Sequence, residues 1–144
     1  MNGNRVFGML TGCLLLAAPV WAGEYTASNG AVTDQRTGLV WQQQDDGQQR
    51  AWEGAIAYCE GLPLANQDDW RLPNVKELES ITDDSRTYPA IDPIFTDTKA
   101  FNYWSSTSGA SSSYFAWNVY FYYGNVYLNN KTSSFYVRCV RSGQ

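Results

Sequence analysis

The sequence predicts an α+β domain, two helices followed by a strand-rich half and stapled by one disulfide. Three observations carry this: two segments with helical apolar stripes, a later stretch in which apolar and polar residues alternate, and an even pair of cysteines in the mature chain. Residues 103–134 also stand apart in composition, with aromatics set among Asn, Ser and Tyr and almost no charge before Lys131.

The chain has 144 residues. Its first 22, "MNGNRVFGMLTGCLLLAAPVWA", combine a basic start at Arg5, an apolar run and a small-residue stop, the pattern of a signal peptide cleaved after Ala22. A lipobox-like Leu10-Thr11-Gly12-Cys13 is the alternative, with lipid anchoring through Cys13. The apolar run is interrupted and too short for a transmembrane segment. About 120 residues remain, the size of one domain, residues 23–144. Tryptophans at 41, 52, 70, 104 and 117 spread along it argue for one cooperative core. Cleavage leaves Cys59 and Cys139, which an oxidising compartment would join. Two buried free thiols are the alternative.

Taken in order, "EYTASNGAVTDQRTGLVWQQQ" has a Gly-containing turn followed by Leu39, Val40 and Trp41, read as a short N-terminal strand. In "DDGQQRAWEGAIAYCEGL", Trp52, Ile56 and Cys59 form a helical stripe beside Ala55, with Gly61 as the stop. "NQDDWRLPNVKELESITDD" offers Asn74 as N-cap and Glu77 three residues on, a capping box, with Val75, Leu78 and Ile81 on one face. That second helix is expected to end near Asp83. "SRTYPAIDPIFTDTKAF" has two prolines and no sustained period, so it reads as an irregular loop.

The last element is a hairpin. Trp117, Val119 and Phe121 share one parity, and Asn118, Tyr120 and Tyr122 the other; after a turn near Tyr123-Gly124, Val126 and Leu128 continue the apolar face opposite Asn125, Tyr127 and Asn129. The polar face is expected to extend through Ser111, Ser112, Ser113 and Tyr114 before the hairpin and Asn130, Ser133 and Ser134 after it. Any one tyrosine here could simply sit well on a half-buried strand. Four together, Tyr120, Tyr122, Tyr123 and Tyr127, among Ser and Asn, match the composition of a recognition surface, in which Tyr gives stiff contact area and Ser and Asn adaptable hydrogen bonding.

Composition bounds the function. The net charge is −4 and basic residues are scattered singly, which argues against nucleic acid as a partner. With no histidine, Ser-His-Asp and Cys-His catalysis and most zinc sites are excluded. Asp45-Asp46, Asp68-Asp69 and Asp83-Asp84 could supply acid/base carboxylates or calcium ligands, but adjacent aspartates on turns read as solvated surface. No metal or cofactor is expected, calcium being the alternative. Arg71 and Arg138 are expected to serve the scaffold, each needing a carboxylate or carbonyl if partly buried.

Several phrases together resemble the Lcl C-terminal domain family: "TGLVWQ" (37–42), "AWEGAIAYCEGL" (51–62), "DWRLPNVKEL" (69–78), "YWSST" (103–107), "AWNVYFYYGNV" (116–126) and "YVRCVR" (136–141). The resemblance implies a C-type-lectin-like fold related to formylglycine-generating-enzyme domains, with two helices on small antiparallel sheets and neighbouring chain ends. It also implies adhesin-like binding, since the family takes its name from collagen-like bacterial adhesins that bind glycosaminoglycans; this chain carries neither a collagen-like Gly repeat nor a basic cluster. Residues 103–134 resemble, in addition, the variable region of proteins diversified by retroelements, in which asparagine codons are rewritten at adenines. The fixed frame would be Trp104, Trp117, Val119, Phe121, Gly124, Val126 and "VRCVR". The functional expectation is an exported, non-enzymatic ligand-binding protein whose partner is an external protein or a cell-surface glycan. A formylglycine-generating-type enzyme, which would need reactive thiols, and a purely structural module are the competing classes.

Overall fold

The computed structural model describes residues 23–143; the expected signal peptide and Cys13 lie outside them. Three strands come first, β1 (Tyr25–Ser28), β2 (Ala31–Asp34) and β3 (Leu39–Gln42), where one was expected. Asn29 and Gly30 at φ 53° and 77° make the tight β1–β2 turn, which Asn-Gly favours because both positions need the left-handed region. The last strand, β7 (Val140–Ser142), adds to β3 and completes the sheet β1-β2-β3-β7, so the first and last strands are the opposite edges of one sheet. The second sheet is three-stranded rather than a lone hairpin: β4 (Asn102–Ser108), β5 (Phe115–Tyr120) and β6 (Asn125–Asn130), all antiparallel.

Between the sheets in sequence come α1 (Trp52–Glu60) and α2 (Val75–Ser80). The amide of Gly61 donates to Ala57 O and closes α1 where expected. The capping box of α2 is present, with Asn74 Oδ1 accepting from the Glu77 amide and Glu77 Oε1 from the Asn74 amide, both at 2.8 Å. The helix ends at Ser80, three residues before the expected stop, and Ile81 is buried just beyond it. Glu77 also holds Arg71 through two bonds of 2.7 Å, so one carboxylate both caps the helix and anchors the preceding loop.

The interior is two clusters rather than one, and strand alternation makes them. Val32, Tyr103, Val119 and Val140 point to one side, with Leu78 of α2 and Ile91 and Phe95 of the irregular loop. Their chain neighbours Ala31, Trp104 and Cys139, with Ala116, point to the other, with Ala55 and Cys59 of α1. Each sheet is thus a layer shared by both clusters. Cys59 and Cys139 are bonded, with Cα atoms 5.4 Å apart, and both are fully buried. Closing a loop of this length stabilises by about 4 kcal/mol in the chain-entropy model.

A closed polar cluster interrupts the apolar interior. Arg138, which precedes β7 rather than lying in it, is fully buried and donates to Gln42 O and Thr98 Oγ1, both at 2.7 Å, and to Gln43 O. Its carboxylate partner is Asp45 at 3.5 Å, to which the Tyr103 hydroxyl also donates. Asp45 is therefore a correction to the solvated-surface reading, since it is buried by its partner from the far end of the chain. The other aspartate pairs lie in loops at or near the surface, and each lends one carboxylate to an arginine: Asp69 to Arg141 and Asp83 to Arg86.

Candidate ligand-binding face

Register places the predicted residues. Trp104, Asn118 and Tyr127 stand directly opposite one another across β4, β5 and β6, and so do Asn102, Tyr120 and Asn125. Directly opposed residues share a face. One face of the second sheet therefore carries Asn102, Trp104, Ala116, Asn118, Tyr120, Asn125, Tyr127 and Asn129, while the other carries Tyr103, Val119 and Val126 against α2. The cluster around α1 covers the first face over Trp104 and Ala116 but stops short of β6, where Tyr127 is 47 % exposed. The uncovered half is the tyrosine surface.

Five rings run together on it. Tyr120 stacks on Tyr122 at 5.7 Å and meets Tyr127 edge-on at 6.1 Å; Tyr122 in turn meets Tyr123 at 4.5 Å and Tyr88 at 4.8 Å. Tyr122 and Tyr123 lie in the four-residue turn, where Gly124 at φ 83° accepts the left-handed conformation and a Cβ would stand 3.3 Å from that of Thr82. The irregular loop is tied to this turn by two backbone bonds, Tyr88 N to Tyr122 O at 2.9 Å and Ala90 N to Phe121 O at 2.7 Å. Neighbouring Tyr123, burial and Tyr88 raise the Tyr122 hydroxyl above its ordinary 10.0, so it stays neutral. Beside Tyr120 and Tyr127, Asn102 and Asn129 complete a hollow of about 230 Å³.

Asn118 is a correction. Sequence parity puts it on the right face, but its side chain is fully buried and cannot meet a ligand directly. It bonds instead to Asn102, Asn129 and the Tyr127 carbonyl. The expected continuity is also broken: Phe115 pairs with Asn130, so Ser111, Ser112, Ser113, Tyr114, Asn130, Ser133 and Ser134 gather at the other end of the hairpin, about 17 Å of strand from the tyrosine turn. There Lys131 N donates to Tyr114 O at 2.9 Å, joining the two loops, and Lys131 Nζ lies 3.8 Å over the Trp52 ring at the start of α1. Asn130 is on the apolar parity and its Oδ1 accepts from Thr132 N, a local turn.

Two contributors were missed. Tyr88 sits in a segment without periodicity, where nothing marks a side chain as surface-forming. Asn102 had a usable signal, its parity with Trp104 in "FNYW".

Among the described residues, no helix is long and apolar enough to cross a membrane. No curated protein matches the chain. The Lcl C-terminal domain matches residues 30–141, which takes in every element from β2 to β6, all but the last residue of β7, and the tyrosine face. With the paired sheets, the two helices and the bridge between α1 and the segment leading into β7, this match places the chain in the Lcl C-terminal domain family.

Proposed function

We propose that this is an exported binding protein, made as a precursor with residues 1–22 as signal peptide, whose face built by Tyr120, Tyr122, Tyr123 and Tyr127 takes an external protein or cell-surface glycan. The observation that carries the reading is the placement of the rings. Tyr123 and Tyr127 are 60 % and 47 % exposed and Tyr127 lines a hollow, while Val119 and Val126 on the opposite side of the strands pack into the core and the expected core residue Leu128 is exposed at the rim. A surface with no partner would gain more from Lys, Glu and Thr, whereas stacked tyrosines offer contact area at low entropic cost. Binding rather than catalysis is favoured because Cys59 and Cys139 are joined and buried, which leaves the formylglycine-generating chemistry without a free thiol among the described residues.

The frame proposed for diversification supports the same reading. Trp104, Val119 and Phe121 are fully buried and Trp117 and Val126 half-buried, whereas Ser111, Ser113, Tyr114, Tyr123 and Tyr127 are exposed and Ser112, Tyr120 and Tyr122 half-buried, so substitution at these serines and tyrosines would change the surface and spare the fully buried frame. Screening the protein on neutral and sulfated glycan arrays and on displayed cell-surface proteins tests the binding reading: saturable binding to a defined ligand class is expected, and silence on all of them would favour a structural module. Sequencing the gene and its flanks across many cells tests diversification, through a near-copy of the segment encoding residues 103–134 that differs at adenines.

A further inference from the structure

The hollow beside Tyr120 has a floor of oriented amides, one from each strand of the second sheet. Asn118 Nδ2 donates at 3.1 Å to the Tyr127 carbonyl, which can only accept, and this fixes which way the Asn118 amide points. Its second hydrogen then goes to Asn129 Oδ1 at 2.8 Å, and its own Oδ1 accepts from Asn102 Nδ2 at 2.6 Å. Among the described residues, Asn129 Nδ2 and Asn102 Oδ1 take no bond and neither is buried, and both residues line the hollow. A position needed only for packing would hold an apolar residue, because a buried amide is tolerated only with its bonds made.

We infer that this hollow is a subsite for a single uncharged pyranose unit of a glycan, held without a metal ion. Sugar hydroxyls both donate and accept, so one ring can take a hydrogen bond from Asn129 Nδ2 and give another to Asn102 Oδ1 while its C–H face rests on Tyr120 or Tyr127. None of the four lining residues is charged, so a sulfate or carboxylate would lose water with no counter-charge in return. The neighbouring rings of Tyr122 and Tyr123 continue the surface on which adjoining sugars would lie. This rests on the reading of the tyrosine face as a binding surface and narrows it to one chemistry.

The test is an amide-resolved NMR titration of the disulfide-bonded protein with methyl glycosides of glucose, galactose, mannose and fucose, each with and without EDTA. A heparin hexasaccharide and a pool of extended peptides serve as comparison probes. At least one methyl pyranoside should shift the Asn102 and Asn129 side-chain signals with Kd of about 1–10 mM, unchanged by EDTA. Asn129→Asp, which keeps the bond from Asn118 but removes the unbonded donors, and Tyr127→Ala should each weaken it about tenfold or more. Silence of all four glycosides, or loss of binding in EDTA, would overturn the subsite. Peptide binding along residues 125–130 with the glycosides silent would sink the subsite and leave the binding face standing, as an edge strand pairing with protein. No response to any of these probes, together with silent arrays, would remove both.

Discussion

Asp45, Tyr103 and Arg138 form a polar cluster that is closed, whereas Asn102, Asn118 and Asn129 form one that is open. In the first, Arg138 donates to Gln42 O, Gln43 O and Thr98 Oγ1 and pairs with Asp45, all within the protein, while its Nε is buried without a partner. Burial pushes the Tyr103 hydroxyl well above its ordinary 10.0, and although Arg138 opposes this the group remains a donor to Asp45. All three residues are buried, so nothing in that cluster, the unbonded Nε included, reaches an outside partner. In the second, the buried Asn118 amide is fully bonded, but its bonds run to half-buried Asn102 and Asn129, whose remaining amide atoms are unbonded and not buried. Burial of a polar group therefore has two uses here. A closed cluster locks distant chain segments together, and an open one orients surface groups.

Breaking the closed cluster should have the largest effect on stability. Asp45→Ala leaves the Arg138 charge buried without its carboxylate and is expected to cost about 3–5 kcal/mol in urea unfolding, with the affinity of the folded fraction unchanged. Breaking the open cluster should cost less but reach the ligand. Asn118→Ala is expected to lose about 1–3 kcal/mol and to weaken binding as well, because Asn102 and Asn129 lose the bonds that orient them. Unchanged affinity in that variant would remove the orienting role. A third change should leave both clusters alone. Burial pushes the Glu77 carboxyl up, but its bonds from Arg71 and the Asn74 amide outweigh this and hold it below its ordinary 4.5. The contribution is present above that value and lost as pH falls through the folded value. Glu77→Gln should thus cost about 1 kcal/mol at neutral pH, a difference that shrinks toward pH 3 in acid unfolding, with binding intact.

Local chemistry was legible in the sequence, and partnership across the chain was not. The box of Asn74 and Glu77, the stripe of Trp52, Ile56 and Cys59, and the alternation from Trp117 to Phe121 each show within a few residues, and each is where the structure has it. The Asn29-Gly30 turn was equally local, but β1, "YTAS", is largely exposed and lacks the apolar alternation that would have marked it as a strand. Asp45 looks like any turn aspartate until Arg138 arrives beside it. Asn118 carries the parity of a surface residue, and its burial shows only once β4 and β6 are in register beside it, with Asn102, Tyr127 and Asn129 as its partners. Tyr88 joins the face through backbone bonds to the turn that no pattern in its own segment announces.

The most direct measurement is the triple change Tyr120→Ala, Tyr122→Ala and Tyr127→Ala, with unfolding free energy and binding to the array ligand taken from one preparation. A recognition face on an independent scaffold predicts stability within about 1 kcal/mol of the parent and affinity down about a hundredfold or more. Affinity retained while stability falls by several kcal/mol would contradict it and make the tyrosines part of the packing.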